Sequence, residues 1–210
     1  MRNETVQIEA PKFEEVIFNI HGTAPLVMNK FSQKAREEIR TKQEAGSQGK
    51  KGKKREAKDF DQCYEGAIHK SIEGWIGFPA SAFRAAMVSA CRIVGFQMTR
   101  AKLALFIQHD GIDADEGTPL VKIEGKPKPM ESMVTIGMGI ADVRIRPMFD
   151  KWSMNIRVLY DADIFSRTDV ANLLMRAGIQ VGIGEGRPDS KRSVGMGWGT
   201  FAIENSKDKK

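Results

Sequence analysis

The stretch Val181-Gly-Ile-Gly-Glu-Gly-Arg-Pro-Asp-Ser-Lys-Arg-Ser-Val-Gly-Met-Gly-Trp-Gly-Thr200 limits this chain more than any other. Six glycines in twenty residues, in two G-x-G-x-G clusters, exclude a regular helix or a long central strand over this span. The segment is therefore a loop between whatever precedes residue 181 and whatever follows residue 200. Arg187, Lys191 and Arg192 lie between the clusters, and Trp198 lies inside the second. Glycine amides with cations beside them suit an anion, and an aromatic among them offers a stacking surface. The same residues also suit a tight hairpin with a flexible tip and no ligand. The G-x-x-x-x-G-K-[ST] spacing is absent, which excludes a nucleoside-triphosphate loop. Arg187 at the third position spoils G-x-G-x-x-G, and too little chain follows for another βαβ unit.

The formal net charge of +6 over 210 residues favours an anionic partner, and 41% hydrophobic residues exclude a wholly disordered chain. No apolar run approaches the ~20 residues of a bilayer span, and the polar Met1–Pro11 lead does not resemble a signal peptide. The expectation is a cytoplasmic protein with no membrane partner. Cys63 and Cys91 are too few for a disulfide framework. With His21, His69 and His109 they form no metal-ligand spacing, so neither metal nor other cofactor is expected.

Glu14–Gly22 reads as a strand, and 29–45 reads as a helix capped by Asn29. Residues 46–58 form a basic low-complexity linker. Between Gly49 and Lys58 it has six cations, Lys50, Lys51, Lys53, Lys54, Arg55 and Lys58, against one acid. It reads either as a solubilising loop or as an arm that collects phosphates. Residues 74–78 read as a short strand. A helix over 79–94 buries Phe83, Met87, Ala90, Cys91 and Val94, begins at Pro79 and stops at Gly95. Leu103–His109 reads as a strand, and Leu120–Ile123 and Val143–Ile145 as a hairpin enclosing a Met-, Gly- and Pro-rich loop from Pro127 to Gly139. Arg144 and Arg146 share one strand face. Residues 152–160 alternate as a half-buried strand. Ser166-Arg-Thr-Asp169 fits a capping box before a helix ended by Gly178, and 201–203 closes a last strand.

This order of elements predicts an α+β fold, a ferredoxin-like or RNA-recognition-motif βαββαβ core in one domain over 1–210. Strands near 15, 104, 156 and 202 would form one antiparallel sheet, with both helices on one face. Two insertions, about 23–73 and 110–150, would decorate it.

Two motifs carry a family resemblance. Ile76-Gly-Phe-Pro-Ala-Ser-Ala-Phe-Arg-Ala-Ala-Met87 resembles the helix start "I-P-G-S-S-L-[KR]-G-x-[LM]" of the RAMP superfamily, with Pro79, Ser81, Arg84 and Met87 at matching positions. Residues 181–201 resemble that superfamily's terminal glycine-rich loop. Phe78-Pro79-Ala80 departs from the usual proline–glycine, and the chain is short for the backbone subunits of CRISPR effector complexes that it resembles in layout. The strings G-F-P-A-S-A-F and G-I-G-E also resemble phage proteins, which would place it in a bacterial host cytoplasm.

The resemblance implies finger-like and thumb-like insertions and a non-enzymatic protein that binds a nucleic-acid backbone while forming a homo-oligomer or filament. Ser81 and Arg84 would meet phosphate at the helix start, beside a loop of Gly182, Gly184, Arg187, Lys191, Arg192, Gly195 and Gly197. Met130 and Met133 would wedge against bases unless they simply pack, and Arg144 and Arg146 would pair with phosphates. Trp198 and Trp75 are the stacking candidates, unless either is core. Single-stranded RNA or DNA is the expected partner. Two alternatives stand beside this: a phage assembly protein whose glycine-rich loop makes subunit contacts, and a RAMP-type endoribonuclease using Asp59, Asp61 or His21. No set of nucleophile, base and orienting group can be assembled from the sequence.

Overall fold

The computed structural model describes residues 9–30, 37, 40–41, 59–136, 140–190 and 194–204. Along the chain run β1 (Phe13–Gly22), β2 (Leu26–Val27), α1 (Phe60–Glu65), β3 (Gly77–Pro79), α2 (Ala80–Ala90) and α3 (Met98–Ala104). Then come β4 (Leu105–Gln108), β5 (Gly111–Ile112), β6 (Pro119–Lys122), β7 (Pro127–Ile136), β8 (Ile140–Phe149), β9 (Ser153–Asp161), α4 (Arg167–Arg176) and β10 (Phe201–Ile203).

Alternation sets the main sheet. Val16 and Ile20 of β1 are buried while Glu15, Ile17 and Asn19 are exposed, and β9 buries Met154, Ile156, Val158 and Tyr160. The two strands pair antiparallel with Val16 opposite Val158 and Ile20 opposite Met154. β10 flanks β1 and β4 flanks β9, which gives the order β10-β1-β9-β4. The buried side chains of this sheet form one core with Phe83 and Met87 of α2 and with Leu173 and Leu174 of α4. Phe83 meets Phe201 edge-on at 5.9 Å. Each such fully buried Phe, Leu or Met contributes about 1.5–3 kcal/mol.

Two of the caps read from sequence are present. Ser166 accepts from the Asp169 amide, while the Asp169 carboxylate accepts from the Ser166 hydroxyl and, more weakly, from the Ser166 amide, which together hold that carboxyl below its usual value. Gly95, at φ 69°, ends the 3₁₀ turn that follows α2. Other expectations need correction. Met98–Ala104 is helical, because Ala101 and Ala104 bury one face at helical spacing, so the strand starts only at Leu105. Gly178 does not end α4. A π turn carries the chain on to Gly182, and Gly178 instead allows close approach, since a Cβ there would collide with the Phe201 carbonyl.

The 110–150 region also pairs differently from the reading of its sequence. β6 pairs with β3 and β5, and the expected loop after Pro127 is strand β7, paired with β8 from Pro127↔Phe149 to Ile136↔Ile140. Prolines 127 and 129 made this stretch look like a loop. They are tolerated because β7 lies at the edge of the β2-β8-β7 sheet, where one side of the strand needs no ladder. Most of the helix expected over 29–45, and the whole 46–58 segment with Lys50, Lys51, Lys53, Lys54 and Arg55, lie outside the described residues.

Candidate nucleic-acid interface

The glycine-rich segment leaves the π turn at Gly182 and returns to β10 as a stitched loop. Ile183 donates its amide to the Gly199 carbonyl at 3.0 Å, Gly199 donates to Pro25 at 2.7 Å, and Glu185 donates to Val27 at 3.0 Å. Met196 and Trp198 both donate to the Gly186 carbonyl, at 2.7 and 3.2 Å. These five amides are therefore used inside the protein and are not offered to a ligand. Glycine is required for two distinct reasons. At Gly184, φ is 78° and a Cβ would lie 2.6 Å from the Val27 carbonyl oxygen. At Gly199, a Cβ would collide with the Ile183 carbonyl. The ring of Trp198 lies against Gly186, half-buried, so one of its faces already has a neighbour.

The stitching fixes which side chains meet. Glu185 bridges Val27 of β2, Val27 pairs Met148 of β8, and Met148 pairs Lys128 of β7. Paired residues share a sheet face, so Glu185 stands on the face that carries Met148, Arg146 and Arg144. Arg146 Nε reaches Glu185 Oε2 at 3.3 Å, with side chains 18% and 31% exposed. Arg187 Nη1 donates to the Gly184 carbonyl at 3.1 Å. Guanidinium groups 41 residues apart in sequence (187 − 146) therefore converge on one loop. The start of α2 lies alongside, because Gly184 also faces the Phe78 ring. That helix begins at Pro79 without a side-chain cap or an acid in its first turn, and Ser81 is exposed there.

Other expected site residues fall elsewhere. Arg84 is committed to the edge of the main sheet: it donates from Nε to the Leu105 carbonyl at 2.8 Å and from Nη2 to the Lys102 carbonyl, and it lies 4.7 Å over the Phe106 ring. This corrects the expectation that it meets phosphate beside Ser81. Met130 pairs Arg146 and shares its face, whereas Met133 pairs Val143 on the opposite face. The period of two puts these two methionines on opposite faces of β7. Gly195 and Gly197 lie in the loop, with φ of 71° and 74°. Lys191 and Arg192 lie outside the described residues. Trp75 donates to Glu73 at 2.8 Å, and its ring packs near Gly77 and Gly111. Asp59 caps α1 by accepting from the Gln62 amide at 2.9 Å, and Asp61 sits in that helix's first turn. His21 pairs Ser153 and Ala202 within the main sheet.

Spacing gave no warning of the charge cluster that the fold assembles around Asp113. Its carboxylate accepts from Lys30 Nζ at 2.8 Å and bonds His69 Nδ1 at 2.8 Å. It also accepts from the amides of Asp115 and Glu116 at 2.9 and 3.0 Å. Lys30 reaches Asp115 as well, at 2.7 Å. The Asp113 side chain is 0% exposed, Lys30 3% and His69 8%. Burial works to raise the Asp113 pKa, but the bonds from Lys30, His69 and the Asp115 amide outweigh it and hold the carboxyl below its ordinary value. An aspartate–histidine pair of this kind resembles a general-base arrangement, but it is closed off from solvent. It ties the chain at residue 30, whose amide also donates to the Ala67 carbonyl, to the loop after β5. Its partners come from 44 and 83 residues away, so only the tertiary fold brings them together.

Among the described residues, no group of three or more His, Cys, Asp or Glu side chains could hold a metal ion, and no helix is long and apolar enough to cross a membrane. No protein-family model and no curated protein matches this sequence. Chemically, the arrangement offers partly exposed guanidiniums on the glycine-rich loop and its neighbouring strand, beside an uncapped helix start. This suits a phosphodiester better than an apolar ligand.

Proposed function

We propose that this chain is a non-enzymatic, single-stranded nucleic-acid-binding protein of the RAMP type, which holds the phosphate backbone and multimerises along the strand. The observation that carries this is the convergence of Arg146 and Arg187 on the glycine-rich loop beside the uncapped start of α2. A ferredoxin-like βαββαβ core is part of the proposal. It is supported by the order β10-β1-β9-β4, with α2 between β1 and β4 and α4 between β9 and β10. Multimerisation is supported by the outer sheet face, where Phe13 and Ile17 are 41% and 57% exposed. Contacts of this kind read the backbone rather than the bases, so affinity falls with salt and depends little on sequence.

The test is fluorescence anisotropy with labelled single-stranded RNA, single-stranded DNA and duplex across a salt series. Single strands bind best, and log affinity falls linearly with log salt. In Arg146→Gln/Arg187→Gln that slope becomes shallower, by at most about 1.4, at ~0.7 per contact that releases a full counterion from a single strand. Absence of binding to every oligonucleotide at low salt overturns the proposal.

A further inference from the structure

Arg146 of this interface already has an anionic partner within the protein, and so do two cations outside the set named above, Arg92 of the 3₁₀ turn after α2 and Lys128 of β7. Arg146 faces Glu185 at 3.3 Å, Arg92 Nη2 faces Asp189 Oδ2 at 2.6 Å, and Lys128 faces Asp150 at 2.5 Å. Two of these three acids, Glu185 and Asp189, belong to the glycine-rich loop itself. Their positions are fixed by the backbone: Glu185 by its amide bond to Val27, and Asp189 by its amide bond to Val181 at 3.1 Å. The Arg146–Glu185 pair sits on the face of the long hairpin that also carries Arg144 and Met130. A phosphate approaching Arg146 at Nε therefore meets a carboxylate already there.

We propose that Glu185, assisted by Asp189, is a built-in competitor for the phosphate site: an autoinhibitory carboxylate that occupies Arg146 until a polyphosphate backbone displaces it. The inference rests on the nucleic-acid reading above and deepens it. Isolated phosphates and short oligonucleotides present too few charges to displace the loop carboxylates. A longer strand, engaging several cations at once, succeeds through effective concentration. The device sets a length threshold and disfavours stray anions, since like charges brought together at an interface oppose binding.

The salt dependence carries a signature that a merely structural glutamate lacks. The counterions released on binding are those condensed on the strand; while the Glu185 carboxylate stays beside Arg146, the pair brings no net positive charge to the phosphate, and the contact releases less than a full counterion. Without Glu185, the same contact releases its full counterion, so the slope of log affinity against log salt steepens by up to about 0.7 for a single strand.

The experiment compares wild type, Glu185→Gln, Asp189→Asn, and Glu185→Gln/Arg146→Gln by anisotropy on single-stranded oligonucleotides of graded length, with circular dichroism to establish folding. Glu185→Gln is expected to bind short oligonucleotides about ten-fold more tightly at low salt, with the steeper slope, and Asp189→Asn less so. Adding Arg146→Gln removes the gain. If wild type binds and Glu185→Gln matches it in affinity and slope, the competitor role is overturned and the nucleic-acid reading stands. If neither binds any oligonucleotide, both fall. Should Glu185→Gln fail to fold, Glu185→Ala carries the same decision at the Arg146 pair: unchanged affinity and slope overturn the role.

Discussion

Replacing Asp113 with alanine tests whether the buried charge cluster is a structural clamp. The carboxylate is wholly buried and takes hydrogen bonds from Lys30 Nζ, His69 Nδ1 and two backbone amides. Removing one partner of a buried pair costs about 3–5 kcal/mol, because the remaining charge is left without compensation. Here Lys30 keeps Asp115, whose side chain is 46% exposed, so the loss falls near the lower end of that range. Against a typical total of about 5–15 kcal/mol, this is a large fraction. At ~2–4 °C per kcal/mol for a chain of this size, it lowers Tm by roughly 6–12 °C. Urea unfolding followed by tryptophan fluorescence reads the change as a shifted midpoint with an unchanged slope. Lys30→Ala and the double variant complete a cycle. Because both residues belong to one network, the two losses are expected to be non-additive by about 1–3 kcal/mol. A D113A protein within about 0.5 kcal/mol of wild type, or strict additivity with Lys30→Ala, refutes the clamp.

Two further outcomes follow from the same geometry. Gly184→Ala places a Cβ 2.6 Å from the Val27 carbonyl at φ 78°, so it destabilises by more than about 2 kcal/mol and weakens oligonucleotide binding; an unchanged melt and affinity would show that the loop yields there. The Asp113 carboxyl is held below its ordinary value of 3.8, so its contribution to stability is full above that pH and fades as pH falls through the lowered value. Urea unfolding between about pH 2 and pH 5 should lose that part of its pH dependence in Asp113→Asn, and an identical profile in both proteins would contradict it.

Much of the main sheet and its helices was legible in the sequence because local periodicity and caps carry that information. β1 and β9 alternate with a period of two. α2 places Phe83, Met87 and Ala90 on one face, and Ser166 with Asp169 marks the start of α4. The errors came where a residue's local preference was overridden by its place in the fold. Pro127 and Pro129 look like loop residues until β7 is known to be an edge strand. Gly178 looks like a helix stop until Phe201 is known to press against it.

The interface divides in the same way. By composition and period alone, the sequence marked 181–200 as a glycine-rich stretch with cations and put Arg144 and Arg146 on one strand face. Only the tertiary structure decided that Arg146 meets Glu185, that Arg84 is held at the edge of the main sheet, and that Lys30, His69 and Asp113 form one buried cluster. These contacts join residues 18 to 83 positions apart, and their geometry depends on how sheets and loops pack together. No short-range pattern encodes that distance.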